Sequence, residues 1–159
     1  MKNYKKGFLC TMILSAMSLM AAEDSTIYVN TFVDENGDNL NNCSLREAIQ
    51  TAKDNKSHGG CNAGNTNNGQ KDIIQLEAGE YILTSELKPE SDVFIYGKSP
   101  ADYATKNVLT HSYPALKALQ TSISANNASR IFNTSATKAN LNLANLILKN
   151  GYSEKFGGA

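Results

Sequence analysis

The chain has 159 residues, which is enough for one domain and too few for two ordinary globular domains. Fifteen basic residues balance fifteen acidic ones, and this balance excludes the strongly cationic surface of a protein that binds nucleic acid or an anionic membrane. Asn occurs 19 times, whereas charged residues make up only 19% of the chain. Because Asn is a poor helix former, the composition favours turns and strands.

The first 22 residues have the pattern of a secretory signal peptide. Three lysines, at positions 2, 5 and 6, precede an apolar stretch that ends at the small pair Ala21-Ala22. The uncharged stretch 7–22 has 16 residues, fewer than the roughly 20 that a membrane-spanning helix needs. We therefore expect an exported protein that has no membrane span once the signal peptide is removed.

The mature chain keeps two cysteines. Removal of residues 1–22 leaves 12 basic and 15 acidic residues and takes away Cys10, so that Cys43 and Cys61 remain. An even pair of cysteines in an exported protein indicates a disulfide. A metal site is the alternative, but only His58 lies nearby as a further ligand. We predict a disulfide between Cys43 and Cys61, which would contribute about 3 kcal/mol by restricting the unfolded chain.

A helix is predicted directly after Cys43. Ser44 and Glu47 have the spacing of a capping box, in which the hydroxyl and the carboxylate each accept a hydrogen bond from the other residue's backbone amide. The helix is expected to span 45–53, with Arg46 and Glu47 at its rim as a structural charge pair. Four apolar residues share one face and are expected to cover the adjoining strands: Leu45, Ala48, Ile49 and Ala52.

Short strand patterns occupy most of the remaining chain. One lies before the helix, at 26–33, and the others follow a loop at 54–71 that is rich in Gly and Asn. Outside an inserted loop at 98–118 they recur about every 20 residues, which favours a solenoid. An antiparallel sandwich is the alternative, but it would need tight hairpins. The later patterns lie at 72–76, 78–83, 91–97, 120–125, 129–133 and 139–151.

The segment around the predicted helix carries the motif of a known family. Its residues Val29-Asn30-Thr31 and Cys43-Ser44-Leu45-Arg46-Glu47-Ala48-Ile49 resemble the CSLREA-type N-terminal domain of exported bacterial proteins. The resemblance covers about residues 27–159. It implies an all-β fold, namely a right-handed parallel β-helix (pectin-lyase-like solenoid) of three to four coils with a short N-terminal capping helix.

The resemblance and the patterns together predict the organisation of the chain. A signal peptide at 1–22 precedes an N-terminal cap at 23–71, which consists of a strand, the capping helix and a disulfide-tied loop. The β-helix coils are expected at 72–159. Since the sequence stops within the strand pattern, we expect an N-terminal fragment whose last coil is uncovered.

Candidate metal ligands are few. Asp34, Asn36 and Asp38 have the alternate spacing of a calcium loop, but Asn39 stands where such a loop needs Gly and Leu45 where it needs Glu. A turn rich in Asx residues explains this segment better. Calcium is therefore weakly supported, and no catalytic, cofactor-binding or metal-binding residue is predicted.

Residues 103–153 contain no acidic residue. No Asp or Glu lies between Asp102 and Glu154, so this stretch cannot supply the carboxylate cluster of a calcium-dependent lyase or the carboxylate pair of a glycosidase. His58 and His111 lie in predicted loops without a ligand partner at suitable spacing. Arg130, the only arginine after Arg46, is expected at the surface.

Two classes of function remain. The first is a non-catalytic, adhesin-like protein that is secreted or lies on the bacterial cell surface. The second is the N-terminal part of a carbohydrate-active enzyme, a polysaccharide lyase or glycoside hydrolase, whose active groove lies on coils beyond this sequence. We favour the first. The expected partners are surface glycans, host or neighbouring surface proteins, or a second copy bound through the last coil; nucleic acid is not expected.

Overall fold

The computed structural model describes residues 26–37, 39–65, 71–100, 109–111 and 118–154. The predicted signal peptide lies outside the described residues, as do Asp38, residues 155–159 and parts of the predicted loops at 54–71 and 98–118. In chain order the elements are β1 (Thr26–Tyr28), α1 (Leu45–Asp54), β2 (Asp72–Gln75), β3 (Gly79–Ile82), β4 (Val93–Tyr96), β5 (Thr121–Ser124), β6 (Leu141–Ala144) and β7 (Ile147–Lys149).

Helix α1 begins at a complete capping box. The Ser44 hydroxyl accepts a hydrogen bond from the Glu47 amide (3.2 Å), and the Glu47 carboxylate accepts one from the Ser44 amide (2.8 Å). These bonds satisfy amides that have no partner within the first turn. The helix ends at Asp54, one residue later than predicted, where Asn55 adopts the left-handed conformation (φ 50°) that commonly terminates helices.

The apolar face of α1 packs against β1 and β2. Burial of a side chain of this kind contributes roughly 1.5–3 kcal/mol for a Leu or Ile. All four residues of the predicted stripe are buried: Leu45, Ala48, Ile49 and Ala52.

Glu47 does not lie at the rim of the helix, so that prediction is wrong. Its side chain is fully buried, because the amides of Ser44 and Gly37 satisfy the two carboxylate oxygens. Its predicted partner Arg46 forms an ion pair with Asp34 instead.

The strands from β2 onward alternate between two parallel sheets. The first sheet has the order β1-β2-β4-β6, and the second has the order β3-β5-β7. All the pairings between these strands are parallel. The antiparallel sandwich that the sequence left open is therefore not formed by the described residues.

One apolar core lies between the two sheets and beneath the helix. Alternate side chains of each strand point into it, and the parallel register places equivalent side chains beside one another. In the first sheet Ile27, Ile74 and Ile95 are neighbours, and in the second Tyr81 lies beside Ile123. All five side chains are buried.

The predicted fold class is wrong. We expected an all-β right-handed parallel β-helix, but the described residues form an α/β-like arrangement of two small parallel sheets and one helix, with no closed solenoid. A right-handed parallel β-helix of this class stacks three parallel sheets, in each of which equivalent strands of successive coils pair, whereas the described residues form two. The described residues outside the sheets show one isolated bridge, between Leu87 and Phe132. The sequence pattern misled because short parallel strands separated by turns occur in both arrangements.

Three strand predictions also differ in extent. The strand expected at 26–33 ends at Tyr28, and the pattern at 129–133 contributes only the bridge at Phe132. The pattern at 139–151 forms two strands, β6 and β7, which lie in different sheets. Asn145 separates them in the left-handed conformation (φ 58°), which Asn adopts more readily than most residues and which turns the chain from one sheet to the other.

A disulfide joins Cys43 to Cys61, with the Cα atoms 4.5 Å apart. Both residues are buried. The bond connects the residue before the capping box to the loop that follows α1, where the amide of Gly60 also donates to the carbonyl of Asn42 (2.7 Å). The helix is therefore tied to the rest of the chain at both of its ends.

Candidate binding groove

Two cavities share Glu86 in their lining, and one of them lies beside helix α1. One has a volume of about 470 Å³ and lies between α1 and the segment 85–90 that follows β3. The other has a volume of about 400 Å³ and lies between Glu86, the segment 128–130 and the segment 152–154. We call the two together the Glu86 groove. Its charged and aromatic lining residues are Arg46, Glu86, Lys88, Glu90, Arg130, Tyr152 and Glu154.

The backbone around Glu86 is fixed from two directions. From helix α1, Arg46 donates hydrogen bonds to the carbonyls of Ser85 (2.9 Å) and Glu86 (3.1 Å). On the other side the amide of the buried Leu87 donates to the carbonyl of Ile131 (2.9 Å). The Glu86 side chain therefore projects into the groove from a well-anchored position.

The Glu86 carboxylate accepts hydrogen bonds from three side chains. Asn133 Nδ2 lies at 3.1 Å and Lys88 Nζ at 3.3 Å, and Arg130 donates through Nε (3.1 Å) and Nη2 (2.9 Å). The hydrogen bond from Asn133 is the main cause that lowers the pKa of Glu86; Lys88 and Arg130 lower it further, against the opposing effect of desolvation. Glu86 is therefore an ionised anchor at neutral pH and holds Arg130 in the groove.

A second carboxylate positions Arg46. Its Nε and Nη2 atoms donate to the two carboxylate oxygens of Asp34 at 2.9 and 2.8 Å, while Thr84 donates to Asp34 through its amide (2.7 Å) and its hydroxyl (2.6 Å). Burial alone would raise the pKa of Asp34, but the hydrogen bonds from Arg46 and Thr84 outweigh it, so the pKa is lowered. This pair connects the turn after β1, helix α1 and the segment after β3.

The residues of the calcium-like spacing do not converge in the described part of the chain. Asp34 directs its carboxylate to Arg46 and Thr84, Asn36 lies beside His58 (Oδ1 to Nε2, 3.3 Å), and Asp38 lies outside the described residues. The described ranges contain no group of three or more His, Cys, Asp or Glu side chains that could hold a metal ion.

Arg130 and His111, which the sequence singled out, have different surroundings in the structure. The side chain of Arg130 is partly exposed and forms the ion pair with Glu86. His111 lies in a turn with φ 52°, at some distance in sequence from the groove residues.

Over the residues that the structure covers, no helix has the length and apolar character needed to cross a membrane.

The sequence did not reveal the two ion pairs that shape the Glu86 groove. Asp34 and Arg46 are 12 residues apart, and Glu86 and Arg130 are 44 residues apart. Neither separation corresponds to a local helix or strand period, so no pattern links the partners. The only hint was the rarity of arginine, since the chain's two arginines both line the groove.

No family model matches the chain, and no match is found among curated proteins or solved structures. The basis for a function is therefore the geometry of the groove, together with the residues that resemble the CSLREA motif.

Proposed function

We propose that this chain is an exported, non-catalytic, adhesin-like surface protein that binds a neutral glycan in the Glu86 groove. Two features support an exported location. The disulfide between Cys43 and Cys61 is of a kind that persists in oxidising compartments outside the cytoplasm. The residues 43–49 resemble those of exported bacterial proteins of the CSLREA type.

The charge balance of the groove carries the proposal. Its lining has three basic side chains (Arg46, Lys88 and Arg130) and three acidic ones (Glu86, Glu90 and Glu154). Several of these charges are already paired within the protein, as Glu86 is with Arg130 and Glu90 is with Lys53. A charged ligand would have to displace such a partner, which is costly for a partly buried pair. A neutral ligand with many hydroxyl groups can instead add hydrogen bonds to the existing pairs.

Tyr152 gives the groove an aromatic surface. Its side chain is 50% exposed, and its amide is fixed by a hydrogen bond to the carbonyl of Ser129 (2.8 Å). A tyrosine ring combines an apolar body with a polar hydroxyl. Both parts suit a sugar ring, which has apolar C–H faces and hydroxyl groups around its edge.

The state of Glu86 supports binding over proton transfer. A general acid that works near neutral pH needs a raised pKa, whereas the hydrogen bonds from Asn133, Lys88 and Arg130 lower the pKa of Glu86. The carboxylate is also engaged by three donors at once. It is suited to hold Arg130 in place beside a ligand.

A binding experiment on the chain exported by a bacterial host tests this function. The protein is titrated against immobilised neutral and acidic oligosaccharides, and we expect retention on neutral ones only. Tyr152→Ala should weaken binding about tenfold or more, since an aromatic anchor is lost. Tyr28→Ala is the matched control, because Tyr28 is 63% exposed on β1 and does not line the groove.

Each part of the proposal has a result that contradicts it. Absence of binding to neutral oligosaccharides, or an equal loss in the Tyr28 and Tyr152 variants, would show that the groove is not the site. New reducing ends or unsaturated sugars after incubation would show catalysis. Free thiols at Cys43 and Cys61 in exported material would contradict the oxidised, exported form.

A further inference from the structure

The last two strands leave exposed the apolar positions that earlier strands bury. Parallel register places Leu143 of β6 beside Ile95 of β4, and Leu148 of β7 beside Ile123 of β5. Ile95 and Ile123 are 0% exposed, whereas Leu143 is 36% exposed and Leu148 is 38% exposed. Strand β6 is the last of the first sheet and β7 the last of the second, so the described core is open at this end of both sheets.

We propose that a second copy of this chain covers this end, in a two-fold arrangement that pairs β6 with β6 and β7 with β7 in antiparallel orientation. Charge favours a second copy as the occupant. Residues 139–148 contain no charged side chain, and Lys149 at the end of β7 is paired with Glu80 of the same chain (3.0 Å), so two identical edges can approach with little repulsion. Sheet edges that avoid pairing usually carry charged residues for that purpose.

The residue pattern of β6 defines the register of the pair. Leu141 and Leu143 occupy inward positions, beside Val93 and Ile95, and Asn142 lies between them. A two-fold axis through Asn142 places Leu141 of each copy opposite Leu143 of the other, on the inward face. The two Asn142 side chains then lie opposite each other on the outward face, where their amides can form hydrogen bonds with each other.

The same axis relates the two β7 strands. The two sheets contribute to one core, and in the proposed dimer the axis that relates the two β6 strands also relates the two β7 strands. The arrangement closes both open edges at once and leaves no strand edge free to recruit a third copy at this end. We therefore expect a closed dimer.

The first test measures the association state of the exported chain by analytical ultracentrifugation from micromolar to millimolar concentration. We expect a reversible monomer–dimer equilibrium. Asn142→Lys places two like charges opposite each other across the axis and should raise the dimer Kd about tenfold or more. Ala78→Lys is the control, since Ala78 is exposed between β2 and β3 and gains the same charge away from this end. Circular dichroism confirms that both variants fold.

The second test fixes the register by cross-linking. Opposite residues in an antiparallel pair have Cβ atoms about 4.5–5.5 Å apart, so Asn142→Cys should form a disulfide-linked dimer under mild oxidation. Ala78→Cys should remain monomeric, and the existing disulfide keeps Cys43 and Cys61 from competing.

Three results would overturn the proposal. The first is a full-length chain that stays monomeric at every concentration. If a chain without residues 155–159 then forms dimers, those residues are the occupant of this end instead of a second copy. The second is a dimer whose Kd is unchanged by Asn142→Lys. The third is open-ended polymers, which indicate head-to-tail contacts between different surfaces.

Discussion

At the scale of single residues, the segment around α1 depends on the buried carboxylate of Glu47. Its two oxygens accept hydrogen bonds from the amides of Gly37 (2.5 Å) and Ser44 (2.8 Å). Gly59 packs directly against this carboxylate, and a Cβ atom there would clash with both oxygens. A buried charge is costly unless its hydrogen bonds are complete. The stability of this segment therefore depends on the two amide donors and also on the space that Gly59 leaves for the carboxylate.

A comparison of two glycines tests this arrangement. Gly59 and Gly37 both have positive φ (56° and 85°), so an alanine at either position carries a backbone cost of roughly 1–2 kcal/mol. At Gly37 the new methyl group would meet only His58, at an ordinary contact distance of 3.5 Å. Gly59→Ala should therefore reduce the free energy of unfolding by roughly 1–3 kcal/mol more than Gly37→Ala. Urea denaturation measures both, and equal losses would contradict the role given to Glu47.

The Asp34–Arg46 pair predicts a pH dependence of stability. The pKa of Asp34 in the folded protein lies below its ordinary value of 3.8. The contribution of the ionised Asp34 carboxylate to the free energy of unfolding is therefore fully present above pH 3.8, and it is lost as the pH falls through the lower, folded-state pKa. Asp34→Asn should cost roughly 1.5–3 kcal/mol at neutral pH and much less in strong acid.

The pH experiment has an internal control in the chain. Glu77 and Lys98 form an ion pair whose side chains are both about half exposed. Glu77→Gln should change the free energy of unfolding less than Asp34→Asn does at neutral pH, because exposed pairs contribute little. The free energy of unfolding of Asp34→Asn is compared with that of the parent protein at each pH. If the two differ by the same amount at neutral and strongly acidic pH, the carboxylate of Asp34 is not the source of the lost stability.

At the scale of elements, helix α1 depends on its buried face more than on its cap. Leu45→Ala or Ile49→Ala should cost about 2–5 kcal/mol, since each leaves a cavity where the helix meets β1 and β2. Ser44→Ala removes one hydrogen bond of the capping box and the one that the hydroxyl donates to the carbonyl of Glu35 (2.6 Å), and it should cost about 1–2 kcal/mol. Lys53→Ala, on the exposed face, should have the smallest effect. Thermal or urea denaturation ranks the four variants by their free energy of unfolding. Similar losses of stability at all four positions would contradict the packing of the helix against β1 and β2.

The elements differ in how much of them the sequence could predict. Helix α1 was predictable to within one residue because its capping box and apolar stripe are local patterns. The pattern at 139–151 predicted strands but not their division, because the left-handed conformation of Asn145 has no unique sequence signal. The Glu86 groove was not predictable, because it depends on contacts such as Glu86 with Arg130 between segments 44 residues apart.

At the scale of the whole molecule, the sequence predicted the strands better than it predicted their assembly. Short runs of β-branched and aromatic residues indicate strands, and in β2 and β4 alternate residues are buried, among them Ile74 and Ile95. The alternation does not specify whether successive strands close into a solenoid or form two separate small sheets. That choice depends on segments such as 85–90 and 128–133, which are joined by the bridge between Leu87 and Phe132 and by few other backbone contacts.

The stacking of strands predicts a gradient of stability along the molecule. Strands β4 and β5 have a paired strand on each side, whereas β6 and β7 are paired on one side within the described chain. Amides of β6 and β7 should therefore exchange with solvent about tenfold faster, or more, than those of β4 and β5 when the protein is dilute and monomeric. Hydrogen–deuterium exchange with mass spectrometry measures all four strands in one experiment.

The effect of protein concentration on the amide exchange rates of β6 and β7 shows whether the edges of these two strands are free or covered. If a second copy pairs with β6 and β7, raising the protein concentration should slow exchange in these two strands and leave β4 and β5 unchanged, because only the edge amides gain partners. The Asn142→Lys variant should keep the fast exchange of β6 and β7 at both concentrations, since the like charges oppose pairing. Slow exchange of β6 and β7 in dilute protein would contradict the gradient, because it would mean that these edges are already covered within a single chain.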